Sequence, residues 1–126
     1  MLLLTGTSTA LRLEIVSGSA TIGYSSSYVD VNSSTGAFVA SQGTLAATIS
    51  TGDVAIVPAP SSGNSRNIKQ VTVSNQAGGT TSVVHIYLFA TPNVNVQWYG
   101  SIAAGERVIF DECGVWTYYA ADGTKK

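Results

Sequence analysis

Apolar and polar residues alternate in short stretches along nearly the whole chain, and period two is the rule. Over residues 10–16, Leu11, Leu13 and Ile15 share one parity while Arg12 and Glu14 take the other, which predicts a half-buried strand. Ser17-Gly18-Ser19 predicts a turn into 20–24. A serine triplet then precedes Tyr28-Val29-Asp30-Val31, a region that reads as one strand broken by a bulge or as two short strands. Asn32-Ser33-Ser34-Thr35-Gly36 is a turn cluster, followed by a short strand over 37–40. Alternation resumes over 43–50 through Leu45, Ala47 and Ile49, and Thr51-Gly52-Asp53 turns the chain toward residue 54.

The segment 54–75 organises the rest, reading as a strand, a hard turn and a second strand. Pro58 and Pro60 remove two backbone donors and fix two φ angles, and Gly63 with Asn64 tolerates positive φ, so the ladder is expected to stop between Val57 and Asn67. The strand over 68–75 has an imperfect phase: Val71 and Val73 share a face and Ile68 has the other. A bulge near Lys69 and Gln70 reconciles them. Residues 76–80 connect to 82–89, where Val83, His85, Tyr87 and Phe89 face one way and Val84, Ile86 and Leu88 the other. With both faces apolar, this is the expected central strand. Thr91-Pro92-Asn93 then turns into 94–99, with Val94, Val96 and Trp98 expected inward and Asn95 and Gln97 outward. Ala103-Ala104-Gly105 leads to 106–111, with Val108 and Phe110 inward, and Cys113-Gly114 leads to a last strand over 115–120.

No apolar stripe at helical period is present, and β-branched residues fill the apolar runs. Strands at about 8–12 residue spacing with Gly, Asn, Ser or Pro between them predict an all-β fold, an antiparallel two-sheet β-sandwich with jelly-roll-like connections. The 126 residues fit one domain. Its expected parts are an N-terminal arm or edge strand over 1–9, the sandwich over 10–121 and a polar C-terminal tail over 122–126.

Composition sharpens the picture of the surface. Charged residues make up 10% of the chain, against roughly 25% in an average soluble domain, so the surface must consist mostly of hydroxyls and amides. Charge normally opposes association, and its depletion favours assembly with other protein over a soluble monomer. The net charge is −1, and the six Lys and Arg residues are scattered apart from Lys125 and Lys126. Nothing forms a phosphate-tracking stripe, so no nucleic-acid partner is expected. No apolar run approaches the ~20 residues of a spanning helix, so no membrane partner is expected. Met1-Leu2-Leu3-Leu4-Thr5-Gly6 lacks the basic region of a secretory signal and reads as a native start. The single Cys113 has no internal partner, which is compatible with cytoplasmic synthesis.

Candidate chemistry is sparse. His85 is the only histidine, so any histidine-dependent catalysis or ligand set needs it, but its apolar strand neighbours favour a packed side chain. Cys113 follows Asp111 and Glu112, whose charges oppose thiolate formation. Those two carboxylates are adjacent and cannot face one another from a strand. No run of alternating acids fits calcium, and no glycine-rich loop carries the lysine of a phosphate-binding loop. No catalytic residue, cofactor or metal ligand is therefore assigned. Among the aromatics, Trp98 is expected in the core, while alternation places at least one ring of Trp116, Tyr118 and Tyr119 at a surface, free to stack on a sugar or a protein partner.

Residues Pro58-Ala59-Pro60 with Arg66-Asn67-Ile68-Lys69, the strand ending at Asn75, the turn Ala104-Gly105-Glu106 and Gly114-Val115-Trp116 together resemble small virion proteins of tailed bacteriophages. Leu11-Arg12-Leu13 and Ser27-Tyr28-Val29-Asp30 look like the amino-terminal strands of that group. The resemblance implies a structural particle protein without catalysis. A one-domain chain with no repetitive shaft looks more like a capsid cement or decoration protein than a fibre. It implies the capsid surface of the virion as location after synthesis in the host cytoplasm, and the major capsid protein as partner. It also implies further copies of the chain, with a trimer matching local threefold axes. The expected contact residues are Leu2, Leu3 and Leu4 of the arm, Arg66 and Lys69 of the corner, and Trp116, Tyr118 and Tyr119. Three leucines are costly to leave in water, so the arm either lies against a neighbour or closes its own sheet. A neck, tail-fibre or baseplate component and a carbohydrate-binding module with an exposed Trp and Tyr row are the alternatives.

Overall fold

In the computed structural model the inward set of each strand follows its alternation until a bulge resets the phase. The structure describes residues 1–39, 42–76, 78 and 80–126, without the side chains of residues 42, 45 and 46. The parts of the expected elements that fall on Ala40, Ala77 and Gly79, and the side chain of Leu45 in the alternation over 43–50, lie outside the described residues. Ten strands are described: β1 (Leu2–Thr5), β2 (Ala10–Ser17), β3 (Ile22–Asn32), β4 (Gln42–Ile49), β5 (Asp53–Val57), β6 (Asn64–Asn75), β7 (Ser82–Ala90), β8 (Asn93–Ile102), β9 (Arg107–Phe110) and β10 (Trp116–Tyr119). They form a six-stranded sheet in the order β10-β9-β6-β3-β4, with β1 also beside β6, and a four-stranded sheet in the order β5-β2-β7-β8. Every described pairing is antiparallel, and the two sheets enclose one core, so the fold is a β-sandwich.

Strand β6 is the hub of the larger sheet. β3 runs along one side of it, from Ile22 opposite Asn75 to Asn32 opposite Asn64. The other side is shared: β1 pairs with residues 65–68 and β9 with 71–74. Between these two partners sits the expected bulge, because Ser27 pairs with Gln70 and Tyr28 with Ile68, leaving Lys69 unmatched. Its effect is the one the parity conflict demanded. Ile68, Val71 and Val73 are all fully buried. The ladder restarts at Asn64, earlier than the proline corner suggested, since Gly63 takes a positive φ of 80° and completes the turn by itself.

Two nested crossings link the sheets. β2 pairs with β7 and β3 with β6, so the β2–β3 and β6–β7 connections run side by side, as in a jelly roll. A full jelly roll would also pair β4 with β5. Here β4 stays beside β3 and β5 beside β2, so the wrap is incomplete. The β2–β3 connection passes tightly over β7: Gly18 has φ 98°, and a Cβ there would lie 2.7 Å from the Ser82 Cα. The Ala20 N–H donates to Ser82 Oγ at 3.0 Å.

Two expectations are corrected by the pairings. Val94 and Val96 point outward, because a bulge at Gln97 separates Trp98, opposite Ile86, from Val96, opposite Tyr87. Trp98 alone of the three packs on the core. The short strand after the turn cluster reduces to one bridge, Val31 with Phe38. The polar C-terminal tail folds back on β10: Asp122 Oδ1 accepts the Thr124 N–H, the Ala120 N–H donates to the Thr124 carbonyl, and the Lys126 N–H donates to the Tyr118 carbonyl.

Candidate contact surfaces

Two polar knots tie the strands of the sandwich together, and residues that carried the resemblance stand at the centre of each. Arg66 lies between the sheets, 5% exposed, with Nε and Nη2 donating to the two oxygens of Asp30 at 2.7 and 2.8 Å. Its Nη1 donates to the Pro58 carbonyl at 2.7 Å, and its guanidinium carbon sits 3.9 Å from the centre of the Tyr28 ring. One side chain thus joins β6, β3 and the proline corner. The Asp30 hydrogen bonds push the arginine further into its charged form against the cost of burial.

The second knot closes the opposite end. The Asn75 N–H donates to the Glu106 carbonyl, the Gly105 N–H donates to the Asn75 carbonyl, and Asn75 Nδ2 donates to the carbonyls of Thr80 and Ile102. The Glu106 carboxylate accepts from Lys126 Nζ, from the Tyr118 hydroxyl and, at 2.8 Å, from the Ala103 N–H. These donors, Lys126 first, hold Glu106 down to a pKa of about 2. Tyr118 shifts the other way, raised by burial and by its bond to the carboxylate.

The outer face of the smaller sheet carries ordered rows. One row runs Asp53, Glu14, His85, Tyr99 and the next Ala55, Arg12, Tyr87, Val96. Arg12 forks onto Asp53, with Nε 2.8 Å from Oδ2, and the Tyr87 hydroxyl donates to the same carboxylate. Asp53 is held below the usual carboxylate range, first by Arg12 and then by Tyr87. His85 lies 3.4 Å from Glu14 through Nδ1, stacks on Tyr87 with ring centres 4.6 Å apart, and leaves Nε2 buried without a partner. It is a packed histidine, as its neighbours suggested. Beyond these rows, Val94 pairs with Phe89, and Val94, Val96 and Tyr99 are each more than half exposed.

The outer face of the larger sheet differs. Its middle is small and polar, with Ser25, Ser27, Thr72 and Ser74 on one side of the pleat. At the β1 end it becomes apolar: Leu3, Asn67 and Val29 form one row, and Phe38, 80% exposed, is bridged to Val31 in the next. Met1 and Val115, both exposed, flank this end, with the chain start against Gly114.

The expected contact residues divide accordingly. Leu4 is fully buried and Leu2 packs on the core, so the arm closes its own sheet with these two, while Leu3 faces out. Arg66 is committed to Asp30 inside the fold and is not a surface contact. Lys69 stands at the bulge, half exposed, with Nζ 3.9 Å from Glu112. Trp116 tilts against Phe110 at 5.1 Å with its Nε1 buried, and Tyr118 meets the Trp98 ring edge-on at 5.7 Å. Tyr119 lies on the outer face beside Arg107, whose guanidinium carbon is 5.4 Å from the ring centre. No flat Trp and Tyr row therefore forms on β10. Cys113 and Glu112 are exposed in the turn after β9. Among the described residues no group of three or more His, Cys, Asp or Glu is placed to hold a metal.

Sequence reasoning missed Phe38, Val94 and Val96 as surface residues. Phe38 left one signal, an aromatic residue directly after a strong turn in a chain short of charge. Comparison with known proteins does not narrow the choice, since no family model, curated protein or solved structure matches this chain.

Proposed function

We propose that the chain is a non-enzymatic structural protein of a tailed-phage particle, of the capsid cement or decoration type, which joins neighbouring shell subunits. The observation that carries this reading is the sidedness of a charge-poor surface. One rigid sandwich presents two separate apolar areas, Leu3 with Phe38 on the larger sheet and Val94, Val96 and Tyr99 on the smaller. A joining protein must hold two neighbours at once, and two contact areas on one stiff body meet that need. Contacts made only with the closed shell stabilise it by mass action, and repetition over a symmetric lattice adds avidity. The resemblance supports the same reading, with the major capsid protein as partner, the virion surface as location, and neither nucleic acid nor membrane involved.

Depletion tests it. Particles assembled without the chain should release DNA at lower temperature, and purified protein should restore the wild-type value. Leu3→Lys and Phe38→Ser variants, which alter exposed side chains, should fold normally and fail to restore it. Release at the same temperature with and without the chain would contradict the proposal. The exposed Tyr99 ring favours a carbohydrate-binding module as second reading, and loss of glycan retention in Tyr99→Ala with shell stability intact would select it.

A further inference from the structure

Sheets end in edges, and this molecule treats its edges unequally. β10 is four residues long, and the folded-back C-terminal turn covers it through the Lys126 N–H on the Tyr118 carbonyl. β5 is five residues long, starts at charged Asp53 and stops before Pro58. β4, at the edge of the larger sheet, and β8, at the edge of the smaller, contain neither a charge nor a proline, and β8 is the longer, ten residues against eight. Its first four residues, Asn93, Val94, Asn95 and Val96, are exposed whichever face they take. Natural sheets guard such a row of unpaired amides and carbonyls with charge, proline or brevity, because it templates another strand.

We infer that β8 is the pairing edge for a second copy of this chain, antiparallel about a two-fold axis at Asn95, fusing two four-stranded sheets into one of eight. Of the two apolar areas, the smaller sheet's then holds a second copy, and Leu3 with Phe38 on each copy is left for the shell. The sequence of β8 is self-complementary in that register. Residues opposite one another in an antiparallel pair share a face, so Val94 of one copy meets Val96 of the other on the outer side. Asn95 meets its own counterpart on the inner side, where its Nδ2 can donate across the axis while its Oδ1 also accepts from Gln97 Nε2 of its own strand at 2.8 Å. Asn93 falls opposite Gln97, again amide to amide. The register therefore covers the exposed valines and matches every polar side chain of residues 93–97 with another.

Charge points to a second copy as the occupant. A two-fold contact uses the same strand twice, so any charge on it would be brought near its own copy across the axis. β8 has none, and Arg12, the nearest cation on that face, is already paired with Asp53 on the far side of β2. With a net charge of −1, long-range repulsion between copies is slight. The pairing is twofold, where lattice matching alone would suggest a trimer.

Analytical ultracentrifugation of the full chain over a range of concentrations tests the inference. The wild type should sediment at twice the chain mass. Val94→Lys with Val96→Lys should raise the dimer dissociation constant at least tenfold, with an unchanged urea midpoint because both side chains are exposed in the free chain. In a Cys113→Ser background, Asn95→Cys should oxidise to a linked dimer, while Cys113→Ser alone should not. A wild type that stays monomeric, a trimer that survives the lysine pair, or an Asn95→Cys protein that does not cross-link would overturn it. If the lysine pair unfolds the chain, the cysteine result decides.

Discussion

Removing Asp30 leaves the Arg66 guanidinium buried beside two backbone carbonyls, Pro58 and Ala59, and the Tyr28 ring. Asp30 and Arg66 are 4% and 5% exposed, and the carboxylate takes two of the guanidinium's bonds at 2.7 and 2.8 Å. Breaking a buried pair by deleting one partner costs about 3–5 kcal/mol, because the remaining charge is desolvated and uncompensated. Asp30→Ala should fall near the lower end, about 3 kcal/mol, since the Pro58 carbonyl still accepts from Nη1 and the Tyr28 ring still faces the cation. With an unfolding entropy of about 2.1 cal/mol/K per residue, a loss of that size in this chain lowers Tm by roughly 11 °C. Urea denaturation followed by the fluorescence of Trp98 and Trp116, both packed on the core, reads it directly. Asp30→Leu with Arg66→Met removes both charges and should cost less than Asp30→Ala alone. A loss below about 1 kcal/mol in Asp30→Ala, or a double variant worse than the single one, would refute the claim that this pair is a desolvated staple.

The other predictions concern pH, the arm and one turn. Glu106 has a folded pKa of about 2 against an ordinary 4.5, so its contribution is fully present above pH 4.5 and is lost as pH falls toward 2. The stability gap between wild type and Glu106→Gln should therefore be constant near neutrality and shrink through that window, and a gap unchanged in acid would contradict the assignment. Leu4→Ala should cost about 2–5 kcal/mol in urea denaturation, whereas Leu3→Ala should change stability by less than about 0.5 kcal/mol. Gly18→Ala should lose about 1–3 kcal/mol, measured as a drop in Tm, from positive φ and contact with the start of β7.

What the sequence revealed depended on whether parity was in conflict. β2 and β9 were legible because Leu11, Leu13 and Ile15 in the one and Val108 and Phe110 in the other hold a single parity. The Lys69 bulge was legible too, since Ile68 and Val71 could not both be buried without it. The Gln97 bulge left no such trace: Val94, Val96 and Trp98 already agree, and only pairing with β7 divides them. Three consecutive leucines give no parity either, and it is the register of β1 on Asn67 that turns Leu3 outward. Arg66 reads as a surface charge in any local window, because Asp30 lies 36 positions away. Of the residues that carried the resemblance, Arg66, Asp30, Asn75 and Glu106 prove to be internal staples, while Leu3, Phe38, Val94 and Val96, which are exposed, stand outside those motifs.

The central claim is best tested by counting copies of the chain in purified particles, by quantitative mass spectrometry against the major capsid protein. The account predicts copies on the order of hundreds, as repeated occupancy of a symmetric shell requires. A handful per particle would place the chain at the neck, tail or fibre, and absence from particles would contradict the account.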